Sequence, residues 1–226
     1  MQFTYYGHSC FSVVLKGKHI LFDPFITGNE LAKHIDIRKI PADYILLSHG
    51  HGDHTGDALA IAKRTGALVV GNFEVAGWIN SKGIQRVHRM NHGGNRQFDF
   101  GKIKYVNAIH TSSMPDGSYG GNPGGFIVMS GEGTFYFAGD TALTLDMQLI
   151  PRFAKLDFAV LPIGDNFTMG YEDALLCAEM IQCRKIIGVH YDTFGDIKID
   201  KQAAQDHFAK AGCHLLLPGI GETIEV

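Results

Sequence analysis

The chain of 226 residues lacks the hydrophobic runs of a membrane protein: no apolar stretch approaches the roughly 20 residues that a spanning helix needs. It also lacks charge of one dominant sign. A formal net charge of −3 at pH 7 gives no global attraction to nucleic acid or to an anionic membrane surface, so neither is expected as a partner. Cysteine is scarce, and the four present (Cys10, Cys177, Cys183 and Cys213) form no C-x-x-C pair. They read as reduced core thiols. The opening Met1-Gln2-Phe3-Thr4-Tyr5 has strand character and no basic signal region, and together these features predict a cytoplasmic protein. No low-complexity linker or composition shift divides the chain, so a single domain over 1–226 is expected.

Metal-binding chemistry, by contrast, is concentrated. His49, His51, Asp53 and His54 place four metal-capable side chains in six consecutive residues, spaced as two pairs. No single helix or strand face can carry all four, so the segment reads as a loop that wraps a metal centre from two sides. Gly50 and Gly52 keep its backbone pliable. Imidazole with carboxylate suits Zn(II) and also Mn(II), Fe(II) or Ni(II).

Four strand-like runs then end on a ligand type. The run 44–48 ends at His49, 103–109 at His110, 134–139 at Asp140 and 185–189 at His190. Strands that each deliver a His or Asp at the C-terminal end can gather those groups on one rim of a sheet. Further strands are predicted near 2–6, 11–15, 18–22, 67–70, 85–89, 97–100, 124–129, 157–161 and 214–217. Helices are predicted near 56–65, 73–82, 143–153, 171–182 and 200–211. Ser112 through Gly125, rich in Gly and Pro, can continue neither helix nor buried strand. Following His110 directly, it reads as a flexible loop covering a substrate.

The H-x-H-x-D-H motif, a later lone His, an Asp after Gly and a final His resemble the metallo-β-lactamase superfamily. The similarity runs from Gly7 to Gly219. Within it, Gly7-His8-Ser9-Cys10-Phe11, Ile20-Leu21-Phe22-Asp23-Pro24, His110-Thr111-Ser112-Ser113 and Pro162-Ile163-Gly164 resemble the small hydrolases that include ascorbate-6-phosphate lactonase-like proteins. Periodicity alone does not fix the topology. The resemblance implies an α/β fold, a four-layer αββα sandwich. It also implies two divalent metal ions: His49, His51 and His110 on one, Asp53, His54 and His190 on the other, and Asp140 bridging them.

Local chemistry agrees with that ligand set. Three neutral imidazoles leave a cation Lewis acidic, and a shared carboxylate offsets repulsion between two cations held about 3.5–4 Å apart. The expected nucleophile is a metal-bridging hydroxide, since coordination lowers the pKa of water to about 7. Asp53 is expected to be catalytic as well as a ligand, steering the hydroxide and taking its proton. The reaction class is hydrolysis of a small ester-like substrate, a lactone or a phosphodiester, with a phosphorylated molecule among those admitted.

Around this set, Asp23 either starts a turn or braces the histidine loop, as the equivalent aspartate does in similar proteins. His8 reads equally as a structural histidine and as a residue facing substrate or orienting a ligand. Asp165, Asn166, Tyr191 and Thr193 are weaker rim candidates. Arg86, Arg89 and Arg96 with His88 and His92 form a mildly basic stretch that could bind phosphate if folded to the rim; solvated loop charges are the plainer account. Competing readings are a metal-stabilised scaffold without turnover and a thiolesterase. Edge strands of a sandwich leave room for a homo-oligomer.

Overall fold

The computed structural model describes every residue from Met1 to Val226. The chain opens with an antiparallel meander of β1 (Gln2–Gly7), β2 (Cys10–Leu15) and β3 (Lys18–Phe22). Parallel strands β4 (Tyr44–Leu46), β5 (Leu68–Asn72) and β6 (Val87–Met90) extend it. Between them run α1 (Gly52–Thr55), α2 (Ala58–Thr65) and α3 (Phe73–Ser81). The second half repeats the plan. A meander of β7 (Asn95–Gln97), β8 (Lys102–Asn107), β9 (Gly124–Ser130) and β10 (Gly133–Phe137) leads into parallel β11 (Phe158–Pro162), β12 (Lys185–Val189) and β13 (His214–Leu216). Its connections carry α4 (Ile150–Phe153), α5 (Tyr171–Met180) and α6 (Lys201–Lys210). Finally β14 (Thr223–Glu225) returns to pair antiparallel with β1, giving two sheets of seven strands each.

Strand periodicity explains the layers. In the parallel strands successive residues point to opposite faces, and both faces are covered, so the runs are apolar throughout. Phe135, Phe137, Phe158 and Val160 join Phe3, Phe11 and Phe22 in a core between the sheets. Their neighbours Tyr136, Ala138, Ala159 and Leu161 pack instead with residues of α5 and α6. On the other sheet Leu21, Ile45, Leu47 and Val69 pack with residues of α2 and α3. Stacked rings tie the middle layers: Phe11 and Phe22 have centroids 4.4 Å apart, and Phe11 meets Phe137 edge-on at 5.1 Å. The αββα sandwich is the observed architecture. No helix is long and apolar enough to cross a membrane.

Beyond the unexpected strand β14 and the helical turn α1 within the ligand segment, the elements differ from expectation in three places. The helix expected over 143–153 is a 3-10 turn, Leu145–Leu149, followed by the single turn of α4. Pro151 accounts for the break, since it cannot donate into a preceding turn but is well suited to the first positions of a new helix. The strand expected over 97–100 is shifted to β7. The segment 112–125 is pinned rather than loose. Asn72 donates through Nδ2 to the carbonyls of Gly120 and Asn122, at 2.7 and 3.1 Å. Asp116 accepts from Trp78 Nε1 and Lys82 Nζ on the α3 side, Met114 is buried, and Ser113 bridges Tyr119. The glycines allow the segment to fold onto α3, and those bonds then hold it there.

Candidate metal centre

Strands of both sheets deliver their C-terminal ends to one rim: β3, β4, β10 and β12, which have parallel neighbours, and β1 and β8 from the antiparallel meanders. The β3–β4 register sets Phe22 beside Leu46, so Asp23 falls next to the Ser48-His49 turn. There Asp23, fully buried, accepts from the Ser48 N–H at 2.8 Å, from Ser48 Oγ at 2.5 Å and from His54 Nδ1 at 2.8 Å. A carboxylate only accepts, so its partners must donate. Ser48 Oγ, having given its proton to Asp23, accepts in turn from His49 Nδ1 at 2.9 Å. One carboxylate thereby fixes the tautomers of two histidines, leaving the Nε2 of each as a bare lone pair facing inward.

Those inner atoms converge. His49 Nε2 lies 3.0 Å from His51 Nδ1, and His49, His51 and His110 offer ligand atoms within 4.8 Å of one another. A second group of the same tightness is His8, Asp53, His54 and His190. Between the two, Asp140 Oδ2 is 3.0 Å from His190 Nε2, 3.1 Å from His54 Nε2 and 3.6 Å from His110 Nε2. The turn into Asp140 needs glycine. Gly139 has φ +64°, and a Cβ there would stand 2.8 Å from both the Gly124 carbonyl oxygen and Ser48 Cβ.

These groups fit a metal better than they fit each other. His54 Nε2 and Asp140 Oδ1 are buried without a hydrogen-bond partner. A neutral His54, with its one proton on Nδ1, would face Asp140 Oδ2 lone pair to lone pair, so either a second proton or a cation must lie between them. Titration behaviour agrees. Burial holds His49 well below its ordinary value and lowers His51 and His110 too, so these three are neutral. Burial opposes ionisation of Asp140 and Asp53, but the neighbouring histidines outweigh it and keep both below the usual carboxylate range. His54 is the exception: burial pulls it down, yet Asp140, Asp53 and Asp23 more than reverse that and hold it well above its ordinary value. Neutral His49, His51 and His110 with ionised Asp53 and Asp140 are in the forms that metals require, and a cation beside Asp140 would take the place of the second proton on His54.

All seven sequence-predicted ligands are brought together. Asp23 braces the histidine loop rather than merely starting a turn. His8 also reaches the centre, which spacing alone left undecided. Its Nε2 donates to Asp53 Oδ2 at 3.0 Å, its Nδ1 meets Thr193 Oγ1 at 3.0 Å, and its carbonyl accepts from the His190 N–H at 2.9 Å. Tyr191 is buried, with its ring 6.5 Å from that of Tyr5. Asp165 and Asn166, both at positive φ, shape a tight turn and leave the following Phe167 on the rim.

A cleft of about 280 Å³ opens over the centre. Its floor exposes His51, Asp53, His110, Asp140 and His190, and its walls are Thr111, Phe167 and Phe194. Sequence reasoning missed both phenylalanines; the available signal was an aromatic residue in each loop after β11 and β12. The segment 112–125 does not line the cleft. Neither does the basic stretch: Arg86 donates to the Gly66 carbonyl, Arg89 lies over the Phe73 ring, and His92 bonds the Pro123 carbonyl.

Comparison with known proteins decides the family. Residues 2–190 match the β-lactamase superfamily domain. A UPF0173 metal-dependent hydrolase of Christiangramia forsetii is 57% identical over the full length of both chains. The chain belongs to the UPF0173 metal-dependent hydrolases of the metallo-β-lactamase superfamily. The Bacillus subtilis member YtkL is 46% identical, again with both chains covered completely. Among solved structures, Igni18, a metallo hydrolase of the archaeon Ignicoccus hospitalis, superposes with TM-score 0.89 at 33% identity. That likeness covers 100% of this chain and 98% of the other. The UPF0173 chain is thus an enzyme of the hydrolase class, with a cluster of metal-capable residues at its strand ends.

Proposed function

We propose that this single-domain UPF0173 protein is a dinuclear hydrolase of small ester-like molecules, lactones or phosphodiesters, acting in the cytoplasm. His49, His51 and His110 would hold one divalent cation, Asp53, His54 and His190 the other, with Asp140 shared; zinc is the first choice. The observation that carries this reading is the convergence of both ligand groups on one buried carboxylate: Asp140 Oδ2 lies 3.0 Å from His190 Nε2, 3.1 Å from His54 Nε2 and 3.6 Å from His110 Nε2, while Asp140 Oδ1 is buried with no hydrogen-bond partner. Four buried free cysteines fit a reducing compartment.

When bound, the cations supply Lewis acidity and lower the pKa of water towards neutrality. The chain's own part is positional. Asp23 orients His54 directly and His49 through Ser48. His8 donates to Asp53 Oδ2, which leaves Oδ1 to ligate or to accept a proton from water at the cleft floor. The fully buried His49 and His54 lie under the site and keep bulk water from its lower side.

The test is elemental analysis joined to mutation. About two metal ions per chain are expected. Metal-dependent turnover of dihydrocoumarin or bis(p-nitrophenyl) phosphate should fall about a thousandfold in Asp53→Ala. Circular dichroism should show the fold intact. Less than one ion per chain after adding Zn or Mn, or full activity in that variant, would overturn the dinuclear assignment.

A further inference from the structure

The walls of the cleft differ in kind from its floor. Phe167 and Phe194 are 51% and 40% exposed, though both are large aromatics at the mouth of a polar site. Phe194 has packed neighbours, and Phe167 sits on a closed backbone turn. Phe167 rides on a turn closed by the Asp165 N–H to Met169 carbonyl bond (3.0 Å) and by the Gly164–Gly170 bridge. Phe194 is backed by two rings, His8 at 5.4 Å and Phe25 at 6.5 Å between centroids. Gly28 makes room for that backing, since a Cβ there would overlap the Phe25 ring.

Charge is equally uneven. None of the chain's 20 lysines and arginines lines the cleft. Lys201, on the small neighbouring cavity behind Thr193, is committed to Asp192 at 3.0 Å. An anionic group away from the scissile bond would therefore find aromatic walls and no cationic side chain, a poor exchange for its hydration.

We propose that the substrate group flanking the scissile bond is flat, apolar and uncharged and seats against Phe167 and Phe194, so that a molecule with a second, remote anionic group is selected against. This rests on the hydrolase reading above and narrows it: a phosphate carried at a distance from the reacting bond does not belong in this site. The uncharged ring gains by covering the two phenylalanines, and partial burial of such surface discriminates by about tenfold to a hundredfold.

The experiment compares matched probes on the metal-loaded protein: dihydrocoumarin, 6-carboxydihydrocoumarin and the ring-free δ-valerolactone. If only phosphodiesters turn over, methyl phenyl phosphate, methyl 4-carboxyphenyl phosphate and the ring-free methyl 2,2,2-trifluoroethyl phosphate replace them. The neutral aryl probe should exceed its carboxylated analogue at least about tenfold in kcat/KM. Its advantage over the ring-free probe should shrink about fivefold or more in Phe167→Ala and in Phe194→Ala, mainly through KM. Preference for the carboxylated probe, or an unchanged advantage in both variants, overturns the proposal. If no probe turns over, the hydrolase reading has failed, and binding of unhydrolysed phenylacetamide decides the aromatic seat separately. Saturation-transfer signals from its ring should appear with the wild-type chain and vanish in the Phe167→Ala/Phe194→Ala double variant. Absence with the wild type, or persistence in the double variant, rejects the seat.

Discussion

Replacing Asp23 by asparagine changes almost no volume and should nevertheless disable the proposed metal centre. In the native arrangement Asp23 Oδ2 accepts from both Ser48 Oγ and His54 Nδ1, while Oδ1 accepts from the Ser48 N–H. If the asparagine oxygen keeps the Ser48 N–H, its amide nitrogen takes the Oδ2 position and donates. His54 must then accept at Nδ1 and carry its proton on Nε2, the atom that faces Asp140. Ser48 Oγ, no longer donating to residue 23, turns its proton to His49 Nδ1 and forces the same exchange there. If the amide flips instead, two N–H donors confront each other in a fully buried place. Correcting the tautomer of each ligand at about 1.5 kcal/mol gives about 3 kcal/mol for two, or a loss of about 150-fold in metal affinity. Competition against a chromophoric chelator measures that loss. Imidazole nitrogen-15 shifts of His49, which burial keeps neutral in the metal-free protein, report its tautomer independently. Wild-type affinity in a folded Asp23→Asn variant would refute the reasoning. Ser48→Ala provides a second arm, since it releases His49 and leaves the Asp23–His54 bond in place.

The metal-free protein should lose stability in acid. Burial brings His8 down from the ordinary 6.5 to about 4. Between those values the unfolded chain binds the extra proton, so this contribution is full above pH 6.5 and fades as pH falls towards 4, by up to about 3 kcal/mol. His49, His51 and His110, lowered in the same way, add to the trend. His54, raised, works in the opposite sense: its contribution is full below pH 6.5 and is lost only as pH rises through its folded value. Urea midpoints at pH 7 and pH 4.5 should differ accordingly, and a higher midpoint at pH 4.5 would contradict the assignment. Separately, Asn72→Ala removes two bonds to segment 112–125 and the acceptor for the Val75 N–H at the start of α3. A loss of about 2–3 kcal/mol and new protease cleavage within 112–125 are expected. Unchanged proteolysis would mean that the segment is held by other contacts.

What the sequence discloses here depends on whether a residue's partner is near in the chain or reached by strand periodicity. His49, Asp140 and His190 are legible because each follows a run that is buried on both faces, and His110 because it follows a strand buried on one; the periodicity that sorts Phe137 and Ala138 into different cores also aims the next residues at the rim. Segment 112–125 was misleading for the converse reason. Its glycines state what the backbone is free to do, whereas its fixed position comes from Asn72 and α3, which lie about 40 residues earlier in the chain. The phenylalanines of the cleft carry no periodic signal at all, being single residues on turns.

Backbone strain joins the two kinds of information. His8, Asp23 and His190 are each the first residue after a strand, β1, β3 and β12, and each has positive φ: 53°, 40° and 56°. For non-glycine residues that conformation costs of order 1–3 kcal/mol apiece and persists only where the surroundings over-determine it. Here they do: the His190 N–H donates to the His8 carbonyl, which also accepts from Tyr5 Oη, and Asp23 is held by Ser48 and His54. Glycine would relieve the strain at any of the three and would remove the side chain that the bend presents. The sharp turn at the strand end brings those side chains to the rim, where the two sheets meet and where the rings of His8 and His190 lie 4.2 Å apart. At these three strand ends the chain carries two imidazoles and a carboxylate in a conformation that glycine would adopt without strain, and the bonds that His8 makes to Asp53 and Asp23 makes to Ser48 and His54 hold the bends in place.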